Sequence, residues 1–424
     1  MKTGKNKVLN IITSVVPAAM VLGVYYLFDR DDNVLFLCNI FLTVLIIIKA
    51  RFSLFSLKAL LITYVLLAIF WQYNYGNSYG ILELGNYEID YHMINLLPLI
   101  YLSIVFIFLN NTNILDKERV ILTTFCSRKM SNTSVCVLSL IAIVSSIIAF
   151  PAIITGGNRF ESLLPGNAWN HIAIIALLLL YPRLKDSMMA KVAYCFCVIW
   201  FILQGERVDM IGLLFGVIVL SVHQKSTVYS KKKLLKNVKY VLLCVIVIMV
   251  AVFIGEKRAG AGEMSAADIT KKIIVQNTAS DVGYIYNLSL KYRRYNKSLN
   301  GATYIQYIDE LMPFGEDSHS ASKILDDKYG TPGGIYLLSE PYMNFGVTGI
   351  IAFGVIELTV IYFVLRSRKY YFAAIYVYIL ITAFRTSWYG ISYIETGIIY
   401  IMPLLTSISF IIDSTKSKKA ISGE

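Results

Sequence analysis

The chain has 424 residues, of which 57% are hydrophobic and only 16% charged, and its mean hydropathy is +0.62. A soluble domain carries roughly a quarter charged residues, so this composition excludes a soluble globular enzyme and points to an all-α membrane protein. The net charge of +12 needs no nucleic-acid partner, because Lys and Arg crowd into one set of short loops, as membrane topology requires.

Apolar runs close to the roughly 20 residues needed to cross a bilayer predict about twelve transmembrane helices. They lie near residues 8–28, 33–48, 53–71, 92–109, 133–154, 168–182, 190–204, 208–223, 238–255, 346–365, 370–388 and 396–412. No A-x-A-like cleavage site follows the first run, so it is expected to stay as a span. Basic residues concentrate in 1–7, 49–51, 110–132, 183–191, 224–239, 366–369 and the C-terminal tail. The positive-inside rule then predicts a multi-pass protein with both termini cytoplasmic. Short external loops keep only Arg30, Arg159, Arg207 and Arg385, and Lys58 is expected to snorkel to the inner surface.

The expectation is a single transmembrane domain over 1–424, with a long external segment, 256–333, between the ninth and tenth spans. Within it, 270–295 and 300–315 mix Tyr and aliphatics with charge and read as interfacial helices. The stretch "IYLLSEPYMNFG" (335–346) contains Glu340 and Pro341 and reads as a broken or interfacial helix rather than a span. The six cysteines, Cys38, Cys126, Cys136, Cys195, Cys197 and Cys244, avoid the long external segment, so no external disulfide framework is expected. "CFC" at 195–197 points to two helix faces and lacks histidines, which favours buried small apolar residues over a metal site. No phosphate loop, zinc pattern or acidic metal motif occurs, and no metal or cofactor is expected.

Three external span ends keep an Arg: Arg159 in "GGNRFESLLPGN", Arg207 in "LQGERVDMIG" and Arg385 in "TAFRTSWYG". Each alone reads as an interfacial cation. Together, in a chain rich in Lys, they suggest planar bidentate recognition of phosphate or carboxylate. Arg207 stands out, because Gly205 would allow close backbone approach and the following helix would present free amides and its positive end. Glu206 and Asp209 either orient Arg207 or simply neutralise it. His319, the lone histidine of the long external segment, is a candidate general base or a solvated side chain. Glu340 and Glu395 are rival bases, and Glu357 must face protein or a cavity.

These features, in this order, resemble the Wzy-type oligosaccharide repeat-unit polymerases of O-antigen and capsule assembly. The similarity rests on "GERVDMIGLLFGVIVL" (205–220), "NGATYIQYIDELMPFG" (300–315) and "GGIYLLSEPYMNFGVTGIIAFGVIE" (333–357), and covers about the C-terminal half. Lipid A-core O-antigen ligases are similar in outline, though "SHSAS" around His319 lacks their His-Asn pairing. The resemblance implies a GT-C-like membrane glycosyltransferase at the periplasmic face of the bacterial inner membrane. Its substrates would be undecaprenyl-pyrophosphate-linked oligosaccharides, and its partners a flippase and a chain-length regulator. It would place Arg207, Arg159 and Arg385 on the pyrophosphate, and His319 or Glu340 as base. Gly205, Glu206, Asp209, Tyr342 and Asn344 would support them, and 282–308 would cover the sugar. The alternatives are a ligase, which shares the donor, and a flippase or secondary transporter. A transporter would carry charges at the bilayer midplane and two related halves, and no internal repeat is visible.

Overall fold

A computed structural model describes residues 23, 31–75, 88–156, 162–165, 168–224, 277–310, 320–331 and 333–422. Among the described residues every regular element is helical. The first helices are α1 (Asp32–Ala50), α2 (Leu54–Tyr75), α3 (Tyr91–Asn111), α4 (Ile114–Cys126), α5 (Asn132–Ala149), α6 (Trp169–Leu180), α7 (Met188–Gln204) and α8 (Arg207–Gln224). There follow α9 (Asn277–Tyr295), α10 (Ala302–Glu310), α11 (Ala321–Tyr329), α12 (Ser339–Phe345) and α13 (Val347–Arg366). The chain continues with α14 (Tyr370–Ile381), α15 (Ala383–Tyr389), α16 (Ser392–Thr396) and α17 (Met402–Ser422).

Among the described residues, six stretches are long and apolar enough to cross a membrane: Asp32–Ala50, Leu54–Asn74, Tyr91–Asn111, Asn132–Ala149, Val347–Arg366 and Ser392–Thr415. The expected spans 8–28 and 238–255 lie outside the described residues. Four other expected spans are shorter helices. Met188–Gln204, Val208–His223 and Tyr370–Ile381 are apolar but brief. The 12-residue α6 reaches only about 18 Å, and every residue from Ala173 to Leu180 is buried. It is a core helix, the usual fate of an apolar run of that length.

The interruptions have local causes. The expected 133–154 span ends at Ala149, ahead of Pro151, whose ring disfavours helical backbone in the residue before it; a single turn, Ala152–Thr155, follows. The expected 370–388 span is two helices. Thr382 turns its N–H and its hydroxyl onto the Tyr378 carbonyl, at 3.0 and 2.7 Å, and the ladder restarts at Ala383. In the last span a π-helical turn, Gly397–Ile401, precedes Pro403, which cannot supply its own ladder N–H.

The chain forms two compact units. The first comprises 1–117, 265–363 and 385–392. Here α1 packs on α2 and α3, and α9 packs on α2, α3, α11 and α12. A Cβ at Gly283 of α9 would stand 2.6 Å from Ile69 Cγ1, so α9 lies too close to α2 for any larger residue there. Where it is described, the 270–295 stretch is packed into the unit: α9 buries Val282, Ile285, Tyr286, Leu288 and Leu290. Lys58 does not snorkel. It is buried and bonded to Glu357 of α13, whose other oxygen accepts from Tyr101 at 2.5 Å. A buried cation needs such a partner, because removing an unpaired charge from water costs several kcal/mol.

The second unit comprises 118–264, 364–384 and 393–424. In it α5 packs on α6, α7 and α17, and α8 packs on α14. Gly212 of α8 meets the Ile381 carbonyl so closely that a Cβ would stand 1.9 Å from its oxygen. The 110–132 stretch, read as a cytoplasmic loop, contains α4. That helix buries Ile121, Leu122 and Phe125, and Glu118 accepts from Tyr376 at 2.6 Å. Asp413 of α17 fastens the start of α5 by accepting from the Ser131 amide (2.9 Å) and the Ser134 hydroxyl (2.6 Å). Cys197 is buried, whereas Cys195 is exposed on another face. The two cysteines thus face apart as helical spacing requires, but only one is a core residue.

Candidate functional site

In the first unit, α12 follows a turn at Leu337–Leu338, and its Pro341 sits in the first turn, where a missing N–H costs no ladder bond. What separates α12 from the span α13 is Gly346, at φ +65°, rather than the proline. Glu340 on α12 is 5% exposed. Its Oε2 accepts from the Tyr307 hydroxyl of α10, and its Oε1 has no partner among the described residues. Burial raises its carboxyl above the ordinary range, and hydrogen bonds from Tyr307 and Thr303 pull part of the way back. Beside it, the Tyr304 ring packs edge-on to Tyr307 (5.8 Å) and parallel to Phe345 (6.4 Å).

Asn344 builds this arrangement. Its side chain donates to Thr303 Oγ1 (2.7 Å) and to the Glu340 carbonyl (3.0 Å), and accepts from the Gly301 amide (2.8 Å). Its carbonyl accepts from the Asn300 amide (3.2 Å) and the Ser298 hydroxyl. Every polar group of Asn344 that faces the 298–303 turn is engaged, so it positions α10 over Glu340. Asn300 and Gly301 both take positive φ there, the left-handed backbone that Asn and Gly tolerate best.

Nearby, four buried polar atoms have no partner among the described residues: Thr331 Oγ1, Tyr336 Oη, Ser339 Oγ and Ser387 Oγ. Each such group costs about 1–3 kcal/mol, and stability alone does not favour gathering them. Ser387 belongs to α15, where its carbonyl accepts from the Leu337 amide at 3.0 Å. Arg385 stands two residues before it, with its guanidinium 5.0 Å from the Tyr389 ring. Glu340, Tyr342, Asn344 and Arg385 thus share one unit. Residues 282–290, expected to cover the sugar, form core instead, whereas Tyr304 and Tyr307 remain half-exposed.

The remaining site candidates fall elsewhere. Arg159 and His319 lie outside the described residues, as does the Arg207 side chain. In the second unit, Gly205 has φ +82° and caps α7: its amide reaches the Ile202 carbonyl (3.0 Å), and the Glu206 amide reaches that of Phe201 (2.9 Å). Gly205 is required for this left-handed cap, so the glycine is explained without a ligand. Asp209 is 3% exposed and accepts from Asn170 Nδ2 (2.9 Å) and the Tyr393 hydroxyl (3.2 Å). The first turn of α8, read as a phosphate cradle, already holds a buried carboxylate. Next to it the His171 ring lies 4.6 Å from Tyr393, and its Nδ1 is 2.7 Å from the Tyr378 hydroxyl.

Sequence reasoning did not single out Thr303 and Tyr307, although their i, i+4 spacing places them on one helix face. Asn170, Tyr378 and Tyr393 carry no such signal, being 39 to 223 residues from the groups they bond.

Fold and site define an α-helical, membrane-embedded protein that holds a buried carboxylate beside aromatic side chains. A scan against protein-family models, a search of curated proteins and a search of solved structures each find no match.

Proposed function

We propose that the protein polymerises lipid-linked oligosaccharide repeat units at the periplasmic face of the bacterial inner membrane. The growing glycan passes from undecaprenyl pyrophosphate to a hydroxyl of a newly supplied lipid-linked unit. The observation that carries this reading is Glu340: a buried carboxylate with one oxygen anchored by Tyr307, the other without a partner among the described residues, beside the Tyr304 and Phe345 rings. Its raised carboxyl is a better proton acceptor than a solvated one, and aromatic faces suit the C–H faces of sugars.

In the reaction the acceptor oxygen bonds to the anomeric carbon as the bond to the pyrophosphate oxygen breaks. The acceptor proton goes to Glu340, with His319 the rival base, and the bonding pair leaves with the pyrophosphate. Arg207, Arg159 and Arg385 would stabilise that departing charge, each charge-assisted contact contributing about 1.5–3 kcal/mol. The donor is already activated, so the scheme uses neither nucleotide nor metal.

A second reading, secondary transport, is favoured by the Lys58–Glu357 pair buried between candidate spans. One experiment separates these. The gene is deleted in its host, and surface polysaccharide and lipid-linked intermediates are resolved by size. A ladder collapsing to single exported units supports the polymerase. Single units stranded on the cytoplasmic face identify a transporter, and long unattached lipid-linked polymer identifies a ligase.

A further inference from the structure

A cavity of about 140 Å³ opens in the first unit beside the end of α9, lined by Glu88, Asp90, Asn287, Lys291, Arg294 and Tyr295. At about 30 Å³ per water in the liquid it has room for roughly five. That is well below the ~300–1,000 Å³ of pockets for drug-sized ligands, and on the scale of one sugar ring. Asn287, Lys291 and Arg294 follow at i, i+4 and i+7, which aligns them along one face of α9. Asn287 builds the wall: its side chain accepts from the Asp90 amide (3.2 Å) and donates to the Glu88 carbonyl (3.3 Å). Asp90 also caps α3, accepting from the Met93 amide at 3.2 Å.

The charges inside this wall are paired but loosely. Arg294 stands 3.7 Å from Glu88 and 3.9 Å from Asp90, within ion-pair range and too far for hydrogen bonds. The guanidinium donors facing them and the carboxylate acceptors are therefore not consumed by one another. Two carboxylates and two cations line the space, so an ion of either sign would meet two like charges. A neutral ligand with many hydroxyls would find donors and acceptors together. At the rim the Tyr295 side chain is 66% exposed and offers a flat aromatic face. The cavity-lining helix α9 packs on α12, the helix that carries the proposed base.

We propose that this cavity is a subsite for one uncharged sugar unit of a glycan, held by hydrogen bonds to Glu88, Asp90, Lys291 and Arg294 and stacked on Tyr295. The identity of that glycan as substrate rests on the polymerase reading; the binding chemistry does not.

The test uses the full chain purified in detergent, titrated with methyl glycosides of glucose, galactose, mannose and N-acetylglucosamine and followed by saturation-transfer NMR. Glycerophosphoethanolamine, a zwitterion that could also satisfy balanced charges, is titrated in parallel. The expected result is that at least one glycoside binds, and that Arg294→Gln and Tyr295→Ala each weaken it tenfold or more without lowering the unliganded Tm. Tyr295 is exposed, so its variant tests the site even if Arg294→Gln misfolds. No binding by any glycoside, or equal binding by well-folded variants, overturns the proposal. Binding by glycerophosphoethanolamine alone overturns it in favour of a lipid headgroup. The deletion phenotype is scored separately. Glycoside binding with an intact polymer ladder leaves the subsite standing and removes the polymerase; lost polymer without glycoside binding does the reverse.

Discussion

Glu340 and Asp209 are buried carboxylates near helix starts, one in each unit, and their surroundings treat them differently. Asp209 has both oxygens accepting, one from Asn170 and one from Tyr393, in the first turn of a helix whose dipole favours negative charge. Glu340 has one oxygen held by Tyr307 and the other without a partner among the described residues, and burial raises its carboxyl. A carboxylate whose acceptor capacity is filled by fixed donors holds a fold together. One left half-filled beside aromatic rings can take a proton from something that binds. Glu357 is a third case, buried and held by Lys58 and Tyr101, and serves as the structural reference.

The largest effect should come from Glu340→Gln. It keeps the shape and the Tyr307 contact but removes the base, so polymer formation in a complemented deletion strain should fall roughly 10²–10⁴-fold with the protein still in the membrane. Full activity would transfer the role to His319 or remove it. The pH dependence has a defined sign. The base works ionised, so activity should rise with pH through a midpoint above the ordinary carboxyl range, given the raised carboxyl. Stability runs oppositely: the neutral form is favoured in the fold, and its contribution is lost as pH rises through that same raised value.

Arg207→Ala should lower polymer output by at least about tenfold, the equivalent of one charge-assisted contact. Retained activity in both Arg207→Ala and Arg207→Lys would sink the pyrophosphate role. Lys58→Met should destabilise by about 3–5 kcal/mol, because Glu357 would be left buried and unpaired. Adding Glu357→Leu should restore most of the lost Tm. If the double variant folds and still polymerises, the pair is structural; if it folds and stops substrate crossing, the transport reading gains.

Asp209→Ala should cost about 1–3 kcal/mol by removing the carboxylate that accepts from Asn170 and Tyr393, seen as a lower Tm of the detergent-purified protein. A large activity loss at unchanged Tm would instead erase the contrast with Glu340. The smallest effect is Gly205→Ala, about 1 kcal/mol for a side chain at φ +82°.

Much of this was legible in the chain itself. Hydropathy is additive along a helix, so the class of protein and the spans over 32–50, 54–74, 91–111 and 347–366 could be placed from local composition. Glu340 and Pro341 correctly marked 335–346 as something other than a span, although Gly346 makes the break. Local rules cannot separate the two roles of Gly205, because a left-handed cap, which it forms, and a close ligand approach demand the same residue. They misread Lys58, because snorkelling is the default only when no carboxylate waits inside, and Glu357 is 299 residues away.

The sequence alone determined an all-helical, membrane-embedded chain with a few polar residues set among apolar ones, because transfer free energy depends on composition and local period. Tertiary structure decided which of those polar residues are satisfied. Partners such as Tyr307 for Glu340 and Tyr393 for Asp209 lie 33 and 184 residues distant, and hydrogen bonding depends on geometry in space, which no local pattern encodes.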